Sequence, residues 1–483
     1  MADNSKKLLE KFKPQNVYSN FGAILTNIDI KGFRGISDLP LNIEFPITAI
    51  SGMNGTGKST IGQILICAYK SAQTASNLKR YYIKFFFPVS AADPNPFNVD
   101  ATVKYHYASS TLNVNQELTV TRRKSEWSGY KRQPERHCYY VGFTLYIPKV
   151  ERRDLSIYSG QHITLQEKRV FSDEIKGIVC KILNSNFDEI SFQKVKHLKK
   201  EGEIGMLSKF GYSYSENNMG FGEGRLLYMI DLFENAPSNS LFVLEEPETS
   251  LHEDAQHKFS QYLLDVCNRK HHQIILSTHS NIILEGLPSE ARKFLIRDQS
   301  GVKIIDGLSS YRAKSLLSDG HQKALTICVE DDFAALLLSE TLRIHKPLLV
   351  KSLKIQAVGD TKAVANAIEL LKKLKINAIG VRDADKGPNE QLDLYSLPGT
   401  LPPEKEVYLN IDVQTDINQK YSIDIAQILS SEPDLDHHKY STFFANKADT
   451  TFNQIDIDAI RKYIEIKGLA FFEQLINKIE SRT

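Results

Sequence analysis

The chain has 483 residues, 41% of them apolar and 24% charged, and a net charge of +2. Those values fit a globular protein of two or three domains and leave any nucleic-acid contact to a local basic patch. They come with no apolar run of about 18 residues for a membrane helix, no apolar core in the N-terminal MADNSKKLLEKF for a secretory signal, and five scattered cysteines without a C-x-x-C pair. The expectation is a cytoplasmic protein without membrane contact or disulfide framework, and nothing in the cysteine spacing suggests zinc.

In chain order, GAILTNIDIKGFRGISDLPLNIEFPITAISG alternates and then turns wholly apolar, which predicts strand, hairpin and strand. SGMNGTGKST follows, and STIGQILICAYKSAQ has the apolar spacing of a helix. Residues 79–148 are rich in Tyr, Phe, Val and Thr and predict antiparallel strands, with turns at SAADPNPFN. Residues 163–205 predict a helical insertion ending in a basic cluster. SLFVLEEPETSLHEDAQHKFSQYLLDV reads as strand, turn and long helix, and HHQIILSTHSNIILEGL as strand and helix. Polar residues and glycine then mark a break across IRDQSGVKIIDGLSSYRAKSLLSDGHQ. A second α/β pattern starts at KALTICVEDD and continues through SLKIQAVGD and NAIGVRDADKG. The last fifty or so residues read as helical. The expected organisation is an ATPase domain over 1–315, a smaller parallel α/β domain over 316–430 and a helical tail over 431–483.

Gly52 to Ser59 fill every fixed position of G-x-x-x-x-G-K-[ST]. Glycines in such a loop let its N–H groups face phosphate oxygens, Lys58 reaches the β and γ phosphates, and Ser59 offers a hydroxyl to Mg²⁺. The expected ATP-binding residues are Asn54, Gly55, Thr56, Gly57, Lys58, Ser59 and Thr60. A second strand must bring a carboxylate to the metal. LFVLEEPE supplies Glu245 for that place and Glu246 to polarise the attacking water. The next strand, QIILSTHS, ends at His279, which is placed to sense the γ-phosphate.

This set resembles the SMC- and RecF-like group of ABC-type ATPases, and most closely the OLD (overcoming lysogenization defect) family. LEEPETSLH looks like that group's Walker B and D-loop, with Ser250, Leu251 and His252 in the D-loop, and His279 looks like its switch histidine. The resemblance implies a site completed by dimerisation, in which a partner head supplies a signature motif. Met219-Gly220-Phe221-Gly222-Glu223 is the nearest match, so Gly220, Gly222 and Glu223 join the expected ATP-binding set; the usual serine is missing. Gln161 is the candidate Q-loop residue.

In the second region, TICVEDD places Glu330 at a strand end, and AIGVRDADKG places Asp383 and Asp385 at another. Three acids at the carboxyl edge of a parallel sheet call for cations, and hard oxygen ligands suit Mg²⁺ or Mn²⁺. Such ions activate water and stabilise a leaving phosphodiester oxygen. This looks like a TOPRIM domain, and ATPase followed by TOPRIM is the order of OLD nucleases. Two departures stand out: Asp331 replaces the glycine usual after the glutamate, and Ala334 replaces an acid. Lys386 and Lys405 are candidates for a phosphate contact. Arg122, Arg123, Lys124, Lys131 and Arg132 around Trp127 and Tyr130 suit nucleic acid, as does the run Lys194 to Lys200. The resemblance implies an ATP-controlled, metal-dependent DNA endonuclease in antiviral (phage) defence, acting as a homodimer or higher oligomer. Two alternatives stay open. One is a regulatory ATPase scaffold with an inert TOPRIM that holds or releases a toxic effector, and the other is a repair ATPase.

Overall fold

Leu25–Phe33 (β1) and Ile36–Asn42 (β2) pair antiparallel, as the alternation predicts. Leu39 and Leu41 are buried, while Asp38, Pro40 and Asn42 flanking them are exposed. Ile47–Gly52 (β3) is buried at all six positions, the pattern of a strand covered on both faces, and it enters a different sheet. Phe97–Tyr107 (β4), Gln116–Arg123 (β5) and Glu126–Ser128 (β6) extend the first sheet in the order β2-β1-β4-β5-β6. Cys138–Val141 (β7) leaves that antiparallel sheet and joins the sheet of β3. The computed structural model describes residues 2–33, 35–70, 80–94, 96–110, 116–123, 126–146, 163–197, 200–299 and 301–483. Its contacts divide into two units, Met1–Ala313 and Lys314–Thr483.

The insertion at 163–205 is not helical, as its Lys and Glu content suggests, but mostly a sheet. Ile163–Val170 (β8), Glu189–His197 (β9), Lys200–Lys209 (β10) and Tyr212–Ser215 (β11) form an antiparallel sheet in the order β11-β10-β9-β8, with one helix at Asp173–Leu183. Ile190 and Phe192 are buried on one face of the strand and Val195 on the other. Cross-strand pairing within the insertion outweighs the weak helical preference of its lysines.

Leu241–Glu245 (β12), Gln273–Ser277 (β13), Arg292–Asp298 (β14) and Gly301–Asp306 (β15) complete the central sheet, in the order β15-β14-β3-β13-β12-β7. Part of the stretch read as a break is therefore the antiparallel hairpin β14–β15 on one edge of that sheet. β3, β13 and β12 run parallel. Their carboxyl ends lie on one edge, and that is what brings the P-loop, His279 and the Glu245–Glu246 pair together.

The second unit holds Leu325–Val329 (β16), Leu353–Ala357 (β17), Ala378–Arg382 (β18) and Leu394–Ser396 (β19), all parallel in the order β17-β16-β18-β19. The C-terminal helices share the sheet's core. Ile455, Ile460, Phe472 and Ile476 belong to the same buried cluster as Leu337, Val381 and Tyr408. At about 1.5–3 kcal/mol for each fully buried aliphatic side chain, this packing ties 431–483 to the sheet and leaves no separate tail.

Candidate functional site

Gly57 caps the helix Lys58–Leu65 with φ of 101°, a left-handed conformation that favours glycine. Around it, Asn54, Gly55, Gly57, Lys58, Ser59 and Thr60 line a cavity of about 360 Å³ together with Glu246, His279 and Arg297. Thr56 sits beneath, its hydroxyl donating to the Met53 carbonyl at 2.8 Å. Lys58 Nζ donates to the carbonyls of Gly52 (2.8 Å) and Met53 (3.0 Å). Burial lowers its pKa, while the charges of Glu246 and Glu248 oppose the shift. The result is a buried cation on the wall of a glycine-rich loop's cavity at a helix N-terminus, an arrangement that suits an anion.

Across the cavity, Glu246 Oε1 lies 3.6 Å from His279 Nε2, an electrostatic contact too long for a hydrogen bond. Glu246 holds a left-handed backbone (φ 44°), fixed by its N–H on the Ser277 carbonyl at 3.0 Å. Burial lowers the pKa of His279, and Lys58 adds to that shift. Glu245 stands one residue back, off the cavity wall. Its carboxylate hydrogen-bonds the Tyr140 hydroxyl, and its buried Oε1 has no partner among the described residues. An unpartnered buried carboxylate oxygen at this edge fits an Mg²⁺ that Ser59 and Glu245 would hold.

Three side chains here were not picked out from the sequence. Glu248 is buried and accepts from the Thr278 hydroxyl (2.7 Å) and the His279 N–H (2.9 Å), so it fixes the turn that carries the histidine. Burial raises its pKa. Arg225, 1% exposed, donates Nη2 to the Glu245 carbonyl at 2.8 Å and joins the helix Phe221–Asn235 to the end of β12. Arg297 reaches the cavity from β14. Glu248 had a visible signal, a third acid in LEEPE-T. The two arginines had none, because each comes from a distant segment.

Gly220 caps the helix Phe221–Asn235, and its N–H donates to the Glu223 carboxylate at 3.2 Å. Gly222 lies so near the next turn that a Cβ would stand 2.3 Å from the Ser250 carbonyl. These residues share a cavity with Ser250 and His252, and none of Gly220, Gly222 and Glu223 lines the P-loop cavity of the same chain. Gln161 lies outside the described residues.

In the second unit, Glu330, Asp331, Asp360, Asp383, Asp385 and Lys386 line a cavity of about 420 Å³ with His437 and His438. Parallel β16, β17 and β18 deliver the acids to one edge. Glu330 is held by the Asp383 N–H (3.1 Å) and the Thr361 hydroxyl (3.0 Å). Burial first, then the charges of Glu330, Asp331, Glu404 and Asp385, push the Asp383 carboxyl up to about 7. Its buried Oδ1 has no partner among the described residues. Crowded acids around such an oxygen fit a divalent cation. Lys386 pairs with Asp385 at 2.7 Å. Ala334 is fully buried, and its N–H donates to Asp331 at 2.8 Å.

The basic segments are built differently from the expectation. Trp127 stacks on Phe33 (5.4 Å), and the Tyr130 hydroxyl accepts from the Ile83 N–H (3.3 Å), so both rings are taken up by packing and do not stand free for bases. Arg122 lies over Phe97, while Lys131 and Arg132 are exposed. Lys124 lies outside the described residues. Lys194 pairs with Glu167 and Lys196 with Glu201, so these two charges of the lysine run are neutralised along a strand.

Residues 27–201 match the AAA domain family and residues 154–284 the AAA ATPase domain family, both inside the first unit. The first unit therefore carries an ATP-binding ATPase domain. No curated protein matches the chain. Among solved structures, the SMC head domain from Thermotoga maritima is 18% identical, covers 58% of this chain and 98% of its own, with a TM-score of 0.34. An SmcHead bound to the C-winged helix domain of ScpA is 15% identical, covering 59% and 97%, with a TM-score of 0.39. An Smc head with extended coiled coil, bound to the C-terminal domain of ScpA derived from Pyrococcus furiosus, is 13% identical, covering 61% and 98%, with a TM-score of 0.37. Likeness at this level carries no function across. No described helix is long and apolar enough to cross a membrane.

Proposed function

We propose that the chain is an OLD-like, ATP-gated DNA endonuclease whose second unit hydrolyses phosphodiesters. The observation that carries this reading is the meeting of Glu330, Asp383 and Asp385 in one cavity at the carboxyl edge of a parallel sheet. In the first unit, the loop N–H groups and Lys58 hold the β and γ phosphates. Glu246 orients the attacking water and takes its proton, and His279 reads the γ-phosphate. The Gly220–Glu223 turn does not line its own P-loop cavity, which suits contact with the P-loop of a second copy; ATP then acts as a clamp between two heads. In the second unit, Glu330, Asp383 and Asp385 would hold Mg²⁺ or Mn²⁺, which supplies water activation and charge neutralisation when bound. Lys386, beside Asp385, steadies the phosphate. The setting implied is antiviral defence.

A second reading has one observation in its favour. Ala334 is buried in the core, so position 334 presents no acid to the cavity. An inert acidic centre would make the chain a regulatory ATPase that holds or releases a separate effector. Supercoiled DNA with Mg²⁺ or Mn²⁺ decides between the two. Cutting by the wild type but not by Asp383→Ala/Asp385→Ala supports the nuclease. Intact ATP hydrolysis with no cutting by any form supports the scaffold.

A further inference from the structure

Beside the acidic set lies a group of a different chemistry. Glu404 opens the helix Pro403–Tyr408, and His437 and His438 sit on the turn His437–Lys439. One ligand atom from each of the three lies within 4.8 Å of the others. His438 Nδ1 is 3.0 Å from Glu404 Oε1 and 3.5 Å from Asp331 Oδ2. The two imidazole centroids are 4.1 Å apart. We propose that Glu404, His437 and His438 form a second cation site, for a divalent transition ion that accepts nitrogen ligands, beside the acidic cavity that the two histidines line.

An ion pair between His438 and Glu404 explains only half of what is there. Glu404 is 3% exposed, and its second oxygen, Oε2, has no hydrogen-bond partner among the described residues. Leaving a buried acceptor unmet costs about 1–3 kcal/mol, more for a charged group. Asp383, 7% exposed, carries a second such oxygen on the acidic cavity, whose wall His437 and His438 share, while Glu404 lines the adjoining cavity with Asp331 and His438. Two imidazoles and a carboxylate are the donor set of Zn²⁺ and its neighbours, whereas Mg²⁺ prefers oxygen alone. Bonds of about 2.0–2.1 Å need only a small inward movement of the three side chains. Asp331 stands within reach as a further oxygen donor, and half-exposed His438 leaves an entry path. Lys405 is the cation near His437, and Asp436 the other acid beside it. The inference stands on this donor set and not on the nuclease reading.

The test uses the full chain, stripped with chelator and titrated with Co²⁺ in the absence of DNA. A visible absorption band of low-symmetry Co²⁺, displaced by Zn²⁺, is expected in the wild type and in Asp383→Asn/Asp385→Asn. His437→Ala/His438→Ala is expected to weaken Co²⁺ binding roughly 100-fold. The single change His438→Gln, on an exposed turn, repeats the test with less risk to folding. No band in the wild type overturns the proposal. So does a band that survives both histidine variants, or one lost only with the two aspartates. DNA cutting is read separately and reports on the acidic set.

Discussion

The two centres handle charge in opposite ways. Around the P-loop, Glu246 and Glu248 face the cations Lys58 and Arg225, so these two acids are balanced within the chain, while Glu245 keeps the unpartnered oxygen that suits the Mg²⁺ of a bound phosphate. At the edge of β16 and β18, five acids crowd one cavity with Lys386 as the nearby amine, and Asp383 is driven up to about 7. The first centre is preorganised for phosphate and the second for cations. A site's partner can thus be read from which charge its own side chains fail to balance.

The comparison is broken most strongly by removing the phosphate-binding cation. Lys58→Ala is expected to slow ATP hydrolysis by roughly 1000-fold, about 4 kcal/mol of barrier, measured as phosphate release. DNA cutting that persists but no longer responds to ATP in this variant would separate the two centres cleanly.

Next in size is the acid response of the first unit. His272 accepts from the Ser240 N–H and hydrogen-bonds the Phe233 carbonyl, and burial lowers its pKa from 6.5 to about 4. Below pH about 6.5 the unfolded chain takes a proton that the folded chain refuses until about 4. Stability is therefore full above that window and falls as pH drops through it, by up to about 3 kcal/mol. His272→Gln should flatten the slope in urea melts followed across these pH values.

Asp383 carries the reverse sign. Its carboxyl rises from 3.8 to about 7 on folding, so the folded state loses stability as pH climbs through that window. Asp383→Asn is expected to stabilise the chain by roughly 1–3 kcal/mol near pH 8 and by nothing near pH 4. Millimolar Mn²⁺ should raise the melting temperature of the wild type more than that of the variant. The smallest effect belongs to the lysine strand. Lys194→Ala breaks an exposed pair with Glu167 and should leave the urea midpoint unchanged within error.

How much was legible follows from chain proximity. GMNGTGKS and LEEPE carry their chemistry in consecutive residues, and Glu330, Asp383 and Asp385 each end an apolar run that must be a buried strand. Arg225, Arg297, Glu404 and His437–His438 were invisible because only the fold brings them to these cavities. The sheet at 163–205 escaped because its lysines and glutamates fit a helix, while its strands pair only with one another inside the insertion. Trp127 and Tyr130 read as a nucleic-acid platform, yet Phe33 and Ile83, distant in sequence, had prior use of them.

The most direct test of the central claim is the initial rate of supercoiled DNA cutting in Mn²⁺, measured without nucleotide, with ADP and with ATP. The account predicts that the rate depends on nucleotide in the wild type, loses that dependence in Lys58→Ala, and disappears in Asp383→Ala/Asp385→Ala. Cutting at one rate under all three conditions in the wild type, or cutting that survives the double aspartate change, would contradict it.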